Sequence, residues 1–436
     1  MIGEHTSQVQ SKFNNIKKSK HGKKAMLLSL VPGLGQIYNK QIVKGLVFLG
    51  FFLSFIFVFK DLFNMGYWGI FTLGEQVPRD NSIFLLAEGL IAIIVTAFGL
   101  LFYYLNLKDA YANGKRRDDG FSVYSVREQY QILLEEGYPY FITSPAFILL
   151  VFSVIFPILF SFALVFTNYD LYHSPPASLV SWVGLETLKD IFTVEIWRTT
   201  FFDVLGWTVV WTLVASTIQI AIGIFLAVVV HQKGIRFKKF WRTILVLPWA
   251  VPGFVTILIF TGMFNDTFGA MNNVILPMLG LSEVPWLTDA NFTRIALLMV
   301  QGWLGFPYIF IVTTGVLQSI PEELYEAATI DGATAIQKFK NITLPLVLYS
   351  MAPILITQYT FNFNNFNIIY LFNAGGPAVP NSTAGGTDIL VSWIYKLTMQ
   401  SGQYALAAAL TLLLSVFVIG IAIWQFRRTK SFKEVV

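Results

Sequence analysis

The stretch SIPEELYEAATIDGATAIQKFKNITLP, residues 319–345, is a polar segment between two long apolar runs of this 436-residue chain. It begins with a capping-box pattern, because Ser319 can accept a hydrogen bond from the backbone of the first turn and Glu322 can bond back. The glycine at position 332 can end a helix in the left-handed conformation. The pattern predicts a short helix that begins near Ser319 and ends at Gly332.

A second short helix is predicted over residues 333–341. Lys338 and Lys340 lie near its C-terminal end, where cations complement the helix dipole. The first helix carries Leu324 and Ile330 beside acidic residues and is too short to cross a bilayer. Such a surface indicates a protein partner, although an ordinary amphipathic loop helix would show the same spacing.

The composition of the chain is that of a membrane protein. It is 55% hydrophobic and only 13% charged, about half the charged share of an average globular protein. Apolar runs of about 20 residues, the length that crosses a bilayer as a helix, recur along the sequence. This composition excludes a soluble enzyme, and the long runs favour helices over a transmembrane barrel. We predict an all-α, polytopic integral membrane protein with about eight transmembrane helices, at residues 44–60, 82–107, 143–167, 203–230, 243–264, 292–317, 346–372 and 403–426.

Basic residues set the predicted orientation. The segment 108–120 contains four lysines and arginines, and the segment 231–242 contains five. Both segments are expected in the cytoplasm, because cytoplasmic loops of membrane proteins are enriched in these residues. An even number of spans then places both termini in the cytoplasm, and the same charge rule explains the basic arm at residues 1–24, so no nucleic-acid partner is expected. The tail adds four basic residues on the same side: Arg427, Arg428, Lys430 and Lys433.

The chain is predicted to divide into four segments. Residues 1–43 form a cytoplasmic arm with an interfacial or re-entrant element, 44–107 a transmembrane hairpin, 108–142 a cytoplasmic connector, and 143–436 a six-span core that contains the 319–345 loop. Cysteine is absent and the four histidines are scattered, so no disulfide and no metal site are expected.

The predicted span at 346–372 has an unusual density of amide side chains for a membrane helix. At 3.6 residues per turn, Gln358, Asn362 and Asn365 share one face, with Phe361 beside them. Amides bond hydroxyl groups as donors and as acceptors, and aromatic rings stack on sugar rings, so this pattern is typical of a carbohydrate site. Hydrogen bonding between helices would use the same residue types, and the residues alone favour both interpretations equally. The span at 292–317 presents a similar face: Gln301, Leu304, Gly305 and Tyr308.

The polar loop resembles a known signature. Glu326-Ala327-Ala328, followed after three residues by Gly332 and after nine more by Ile342-Thr343-Leu344-Pro345, is similar to the EAA motif of permeases in ATP-binding-cassette (ABC) importers. The resemblance implies the type I ABC-importer permease fold, in which the first helix of the loop seats in a cleft of the ATP-hydrolysing subunit. The residues that it implies for this coupling are Glu326, Ala327, Ala328 and Gly332.

The two polar spans look like those of MalF-type permeases from maltose and maltodextrin importers. The similarity lies in FNFNNF at 361–366 and WLGFPY at 303–308. It implies that both spans line a cavity for a maltodextrin-like oligosaccharide. Galacto-oligosaccharides and raffinose-like sugars stay open as substrates, because amides and aromatic rings bind hydroxylated rings generically. The implied sugar contacts are Gln301, Leu304, Gly305, Tyr308, Gln358, Phe361, Asn362 and Asn365.

The resemblance also implies partners. They are a second permease subunit of the MalG type, a dimer of ATPase subunits and a lipid-anchored extracellular sugar-binding protein. The chain has no phosphate-binding loop of its own, so we expect no cofactor on it and place ATP and Mg on the partner ATPase. Gram-negative members of the family that the chain resembles insert a folded periplasmic domain after the span that corresponds to 143–167. Because the loop is short here, the resemblance implies the cytoplasmic membrane of a Gram-positive bacterium.

Two other classes of protein share some of these sequence features. An ion-coupled secondary transporter would carry carboxylates along a membrane path and would lack a docking loop, and Glu88 is the carboxylate inside a predicted span that raises this possibility. A lone carboxylate is more often an interfacial or helix-packed residue, and the sequence otherwise favours the reverse pattern. A membrane scaffold, whose amides only join helices, is the third class.

Overall fold

The computed structural model describes residues 20–428 except 136 and 233. The arm at 1–19 and the tail residues Lys430 and Lys433 therefore lie outside the described residues. The chain forms two compact units, Met1–Trp182 and Val183–Val436. The predicted division into four segments stays a prediction.

The first unit is built around a long helical hairpin. Its two helices pack closely where Gly66 faces Ala92. A Cβ atom at Gly66 would lie only 2.8 Å from the Ala92 Cβ, so the lack of a side chain permits this contact. Glu88 lies on the exposed surface of the second hairpin helix. The helices of this unit are α1 (His21–Leu28), α2 (Leu34–Tyr38), α3 (Ile42–Thr72), α4 (Ser82–Asp118), α5 (Val126–Glu135) and α6 (Tyr138–Leu164).

Buried amides tie α1 and α2 to one end of the hairpin. Gln36 Nε2 donates to the backbone oxygen of Asn106 and to Asp109 Oδ2, both at 3.1 Å. Lys44 Nζ lies 2.6 Å from Asp109 Oδ1. Asn39 Nδ2 donates to the backbone oxygen of Ala110 at 2.9 Å. The breaker-rich segment before the first span thus packs against the last turns of α4, which contain the basic residues of the segment 108–120.

The second unit packs its helices around two long helices that run side by side, Glu195–His231 and Ala290–Ser319. The core around this pair includes Trp211, Leu297 and Ile369, which are all fully buried. Its helices are α7 (Glu186–Thr193), α8 (Glu195–His231), α9 (Lys238–Ala250), α10 (Gly253–Met263), α11 (Ala290–Ser319), α12 (Glu322–Ile330), α13 (Ala335–Asn373), α14 (Leu390–Met399) and α15 (Tyr404–Arg428).

The all-α polytopic prediction is confirmed. Within the described residues, six helices are long and apolar enough to cross a membrane, and two further apolar elements are the bent pair α9–α10 and the stretch Tyr404–Gly420. The span predicted over 243–264 is not straight, because α9 and α10 meet at 86° around Val251 and Pro252. Proline has no backbone N–H and disfavours a helical conformation in the residue before it, which explains the break.

The 319–345 loop begins differently from the prediction. The prediction of a capping box at Ser319 is wrong. Ser319 is the last residue of α11, and its Oγ donates to the backbone oxygen of Val316 at 2.8 Å. Ile320 is extended, at φ −75° and ψ 122°, as the residue before a proline prefers. Helix α12 therefore starts after Pro321.

The end of α12 matches the prediction, whereas the following helix does not. Gly332 adopts a left-handed conformation with φ of 75°. The separate helix predicted over 333–341 is wrong, because its residues from Ala335 onward are the first turns of α13. A capping box does form there, with Gln337 N donating to Thr334 Oγ1 at 3.3 Å and Thr334 N donating to Gln337 Oε1 at 2.7 Å.

Candidate functional site

An open cleft of about 540 Å³ lies among α8, α9, α10, α11 and α13. This volume is within the range of roughly 300–1,000 Å³ that small-molecule sites occupy. The bend between α9 and α10 forms one wall, and the amide-bearing faces of α11 and α13 form the others. All the predicted sugar contacts except Asn362 line the cleft: Gln301, Leu304, Gly305, Tyr308, Gln358, Phe361 and Asn365.

Asn362 lies behind the wall of the cleft. Its side chain is fully buried, and Nδ2 donates to Ser216 Oγ at 2.9 Å. The Asn362 backbone oxygen accepts from Trp211 Nε1 at 2.9 Å. This position differs from the predicted sugar contact and corresponds to the alternative role, in which an amide joins two helices, here α13 and α8.

Four amide side chains form a relay beside the cleft. Asn365 Nδ2 donates to Gln301 Oε1 at 3.1 Å, and Gln301 Nε2 donates to Gln219 Oε1 at 3.0 Å. Gln219 Nε2 then donates to Gln358 Oε1 at 3.0 Å. Each bond orients the next amide, since an amide has separate donor and acceptor ends. The relay fixes three helices to one another and leaves the amide nitrogen of Gln358 outside this chain of bonds.

Gln219 is the central residue of the relay, and the sequence interpretation missed it. It is fully buried and lies on α8, far in sequence from the other amides. The lack of a side chain at Gly305 makes room for it, because a Cβ atom there would overlap the Gln219 amide. A single glutamine inside a long apolar span was the signal that could have identified it.

Aromatic rings line the cleft next to the amides. The rings of Trp249 and Tyr308 are nearly parallel, with centroids 5.6 Å apart and an interplanar angle of 21°. Trp249 Nε1 donates to the backbone oxygen of Leu304 at 3.2 Å, and its side chain is still 51% exposed. Phe361, 59% exposed, lies on the same wall. The sequence interpretation missed Trp249 because it assumed a straight span, whereas the bend at Pro252 shapes this wall.

The cleft is electrically neutral. Among the described residues that line it, none is an aspartate, glutamate, lysine or arginine. Amide donors and acceptors beside exposed ring faces can bind an uncharged, hydroxylated ring, because the amides pair with hydroxyl groups while the rings pack on its C–H faces. The arrangement suits a neutral sugar, and the described lining residues offer a carboxylate or a phosphate no charged partner.

Replacing Gln219 with leucine is expected to destabilise the second unit by about 1–3 kcal/mol, because it leaves the buried Gln301 and the Gln358 oxygen without their partner. Chemical denaturation of the purified protein in detergent measures the loss. The exposed Gln318 near the end of α11 supplies the matched control, Gln318→Leu, which should stay within about 0.5 kcal/mol of the unmodified chain. Equal stability of the two variants would contradict a structural role for the relay.

The predicted coupling residues lie together on α12 and the turn after it. Glu326, Ala327 and Gly332 are exposed and Ala328 is half-buried. Ile330 is 88% exposed, so the apolar side of this helix is uncovered in the chain.

Two side-chain contacts fasten α12 to the start of α13. Tyr325 OH and Thr343 Oγ1 are 2.9 Å apart, and Lys338 Nζ donates to Thr329 Oγ1 at 2.6 Å. The helix thus lies between the ends of α11 and α13, which both line the cleft.

These features define a class. Several apolar helices span the membrane, a neutral polar cleft lies between them, and a short exposed helix joins two of the helices that line it. Such an arrangement is typical of a membrane permease, a transport subunit.

Comparison with known proteins gives the family. Residues 219–431 match the family described as binding-protein-dependent transport system inner membrane component. Over 414 residues the chain is 70% identical to the galactooligosaccharides transport system permease protein GanP of Bacillus subtilis, covering 95% of this chain and 99% of that protein. It is 48% identical over 418 residues to the maltodextrin transport system permease protein MalC of Streptococcus pneumoniae, covering 94% and 96%.

A solved structure shares the fold. The crystal structure of a bacterial ABC transporter involved in the import of the acidic polysaccharide alginate superposes with a TM-score of 0.57 at 20% identity, over 70% of this chain and 98% of that chain. The chain belongs to the binding-protein-dependent permeases of ABC importers, as the EAA-like motif implied. It is a multi-pass protein of the cell membrane.

Proposed function

We propose that this chain is the permease subunit of an ABC importer for neutral oligosaccharides. The observation that carries the proposal is the uncharged cleft, in which the Trp249–Tyr308 ring pair lies beside the amide relay. Galactooligosaccharides are the first candidate substrate, since the relative with that name is 70% identical over nearly the whole chain. Maltodextrins are the second candidate, supported by the relative that is 48% identical.

The proposed complex contains three kinds of component besides this chain. A second permease subunit of the MalG type would cover the open side of the cleft. A dimer of ATPase subunits would bind ATP and Mg, hydrolyse the ATP and dock on α12. A lipid-anchored extracellular protein would deliver the sugar, since the family is named for its dependence on binding proteins. We place both termini in the cytoplasm, on the basis of the basic segments, and the chain in a Gram-positive membrane.

The contacts of α12 suggest how a movement of the ATPase would be transmitted to the cleft. Helix α12 follows α11 directly and is bonded to the start of α13 through Tyr325 and Thr343. At 1.5 Å per helical residue, Tyr308 lies about 16 Å from the α12 end of α11, and Gln358 lies about 21 Å from Leu344 along α13. A displacement of α12 by the ATPase would therefore move two walls of the cleft together and open it to alternate sides.

Uptake by the reconstituted complex tests this proposal. The chain is purified with its partners from its own cells, placed in proteoliposomes and supplied with β-linked galactotetraose, maltotetraose or an acidic tetragalacturonate. We expect ATP-dependent uptake of the neutral sugars, with at least about tenfold faster uptake of galactotetraose and none of the acidic sugar. Faster uptake of maltotetraose would transfer the assignment to maltodextrins, and uptake of the acidic sugar alone would refute the proposal.

A further inference from the structure

A second cavity, of about 660 Å³, lies in the same unit at the end of α11 opposite to the 319–345 loop. We call it the outer cavity. Helices α8 and α11 and the loop before α14 enclose it. Its polar lining residues include Asp203, Asn291, Arg294, Ser382 and Asp388.

The outer cavity and the cleft lie along one face of α11. Asn291, Arg294 and Leu298 line the outer cavity, whereas Gln301, Gly305 and Tyr308 line the cleft. The spacing along this series is three, four, three, four and three residues, which keeps all six on a single helix face. Arg294 and Gln301 are separated by about 10 Å along the helix axis, which is comparable to the length of two linked hexose rings.

Helix α8 also lines both cavities. Asp203 and Trp207 line the outer cavity, and Gln219 lines the cleft twelve residues after Trp207. Asp203 and Trp207, four residues apart, share a face of α8, whereas Gln219 is rotated by about 120° around the helix axis from Trp207. Helices α8 and α11 therefore line both cavities, at successive positions along their length.

The chemistry of the outer cavity suits sugar hydroxyl groups. The Arg294 guanidinium lies 4.6 Å from the centre of the Trp207 ring, and its Nε donates to the backbone oxygen of Gly386 at 2.9 Å. The terminal guanidinium nitrogens provide further donors in a fixed plane. The carboxylate of Asp203 accepts hydrogen bonds, and the amide of Asn291 both donates and accepts. Charged groups bind neighbouring hydroxyls more strongly than neutral groups do.

The loop that bears Gly386 is itself held in place. Asp388 is buried, and its Oδ2 lies 2.6 Å from Lys396 Nζ and accepts from the backbone N–H of Gly385 at 2.7 Å. Ser392 Oγ donates to Asp388 Oδ1 at 2.8 Å. Burial raises the pKa of Asp388, and the charge of Lys396 opposes that rise. The contacts of Asp388 thus hold in place the loop that forms this wall of the outer cavity.

A purely structural role would explain Arg294 and Trp207, because they fasten α11 and α8 to the loop. Asp203 and Asn291 have exposed side chains on the cavity wall, where they can reach a ligand, and the charge of Asp203 also stabilises that of Arg294.

We propose that the outer cavity binds one end of a neutral oligosaccharide before the sugar reaches the cleft. This inference rests on the proposed function and adds a second sugar position to the same pathway. Because the two positions are separated by about two hexose rings, a tetrasaccharide can contact both at once, whereas a disaccharide occupies one at a time. Binding energy from the outer cavity should therefore favour the longer sugar.

The test compares two sugar lengths in the reconstituted complex with saturating loaded binding protein. Asp203→Asn combined with Asn291→Ala should lower the rate of tetrasaccharide transport about five- to tenfold and that of disaccharide transport by less than about twofold. ATP hydrolysis stimulated by the loaded binding protein should stay within about twofold. The matched control is Glu195→Gln, the same change of charge on an exposed residue of α8 that does not line the cavity.

Two outcomes would overturn the outer site alone. Unchanged tetrasaccharide transport in the double variant would show that the cavity does not contact the sugar. An equal loss of transport and of stimulated ATP hydrolysis would show that it docks the binding protein instead. Absence of all sugar uptake by the unmodified complex would refute the proposed function and this site with it.

Discussion

Replacing Gly332 with valine is expected to reduce ATP-driven sugar uptake about a hundredfold or more while the chain still assembles in the membrane. Gly332 has a φ of 75°, which a β-branched residue reaches only at a cost of about 1–3 kcal/mol. The turn it makes lets Ala333 N donate to the backbone oxygen of Ala328 at 2.9 Å, closing the end of α12. Valine would open this end and displace the surface on which the ATPase is proposed to dock. Uptake and ATP hydrolysis in proteoliposomes measure the loss of coupling.

The chain offers a closely matched control. Gly280 also has a positive φ, of 69°, and a Cβ atom at either glycine would have open space around it. Gly280→Val therefore introduces the same backbone strain at a site far along the sequence from α12, and uptake should stay within about threefold of the unmodified complex. Gly332→Asn should restore much of the activity, because asparagine tolerates the left-handed conformation. Near-normal uptake by the Gly332 valine variant would contradict the coupling role.

The combined replacement of Trp249 and Tyr308 with alanine should lower uptake about 30- to 900-fold, the second large effect that we expect. The two rings form the exposed aromatic wall of the cleft, and each is expected to contribute about 1–2 kcal/mol to sugar binding. Initial rates of sugar uptake in proteoliposomes, normalised to the amount of assembled complex, measure the effect.

Two controls separate ring stacking from general damage. Trp249→Phe keeps a ring and loses only the hydrogen bond to the Leu304 oxygen, so it should retain uptake within about fivefold. Trp303→Ala removes a half-exposed tryptophan of α11 that does not line the cleft, and it should leave uptake largely intact. If the double alanine variant transported as well as Trp303→Ala, the rings would have no part in sugar binding.

The amide pattern of the sequence predicted much of the cleft. Gln301 and Gln358 line it, as helical periodicity predicted, and Asn365 lines it from the irregular turn that interrupts α13. Periodicity does not show what that face meets. Asn362 belongs to the same face, but Ser216 and Trp211 of α8 are its neighbours, so it joins helices instead of lining the cleft.

The remaining parts of the site depended on tertiary structure. Gln219 and Trp249 belong to other helices, and only packing brings them to the amides of α11 and α13. The proline at position 252 indicated that a helix could break there, but the sequence did not predict the angle of 86° between α9 and α10. The helix start at Ser319 was predicted wrongly because the proline two residues later could have fitted either a first helical turn or an extended residue before a new helix.

The most direct test of the account is to see the sugar in the cleft. Electron cryomicroscopy of the complex trapped with its loaded binding protein and a tetrasaccharide should show a sugar ring packed against Trp249 and Tyr308, with hydroxyl groups within about 3.2 Å of the Gln358 amide. The same density should be lost in the double alanine variant of the two rings. Sugar density held wholly by the second permease subunit, with this cleft closed by side chains or filled by lipid, would contradict the account.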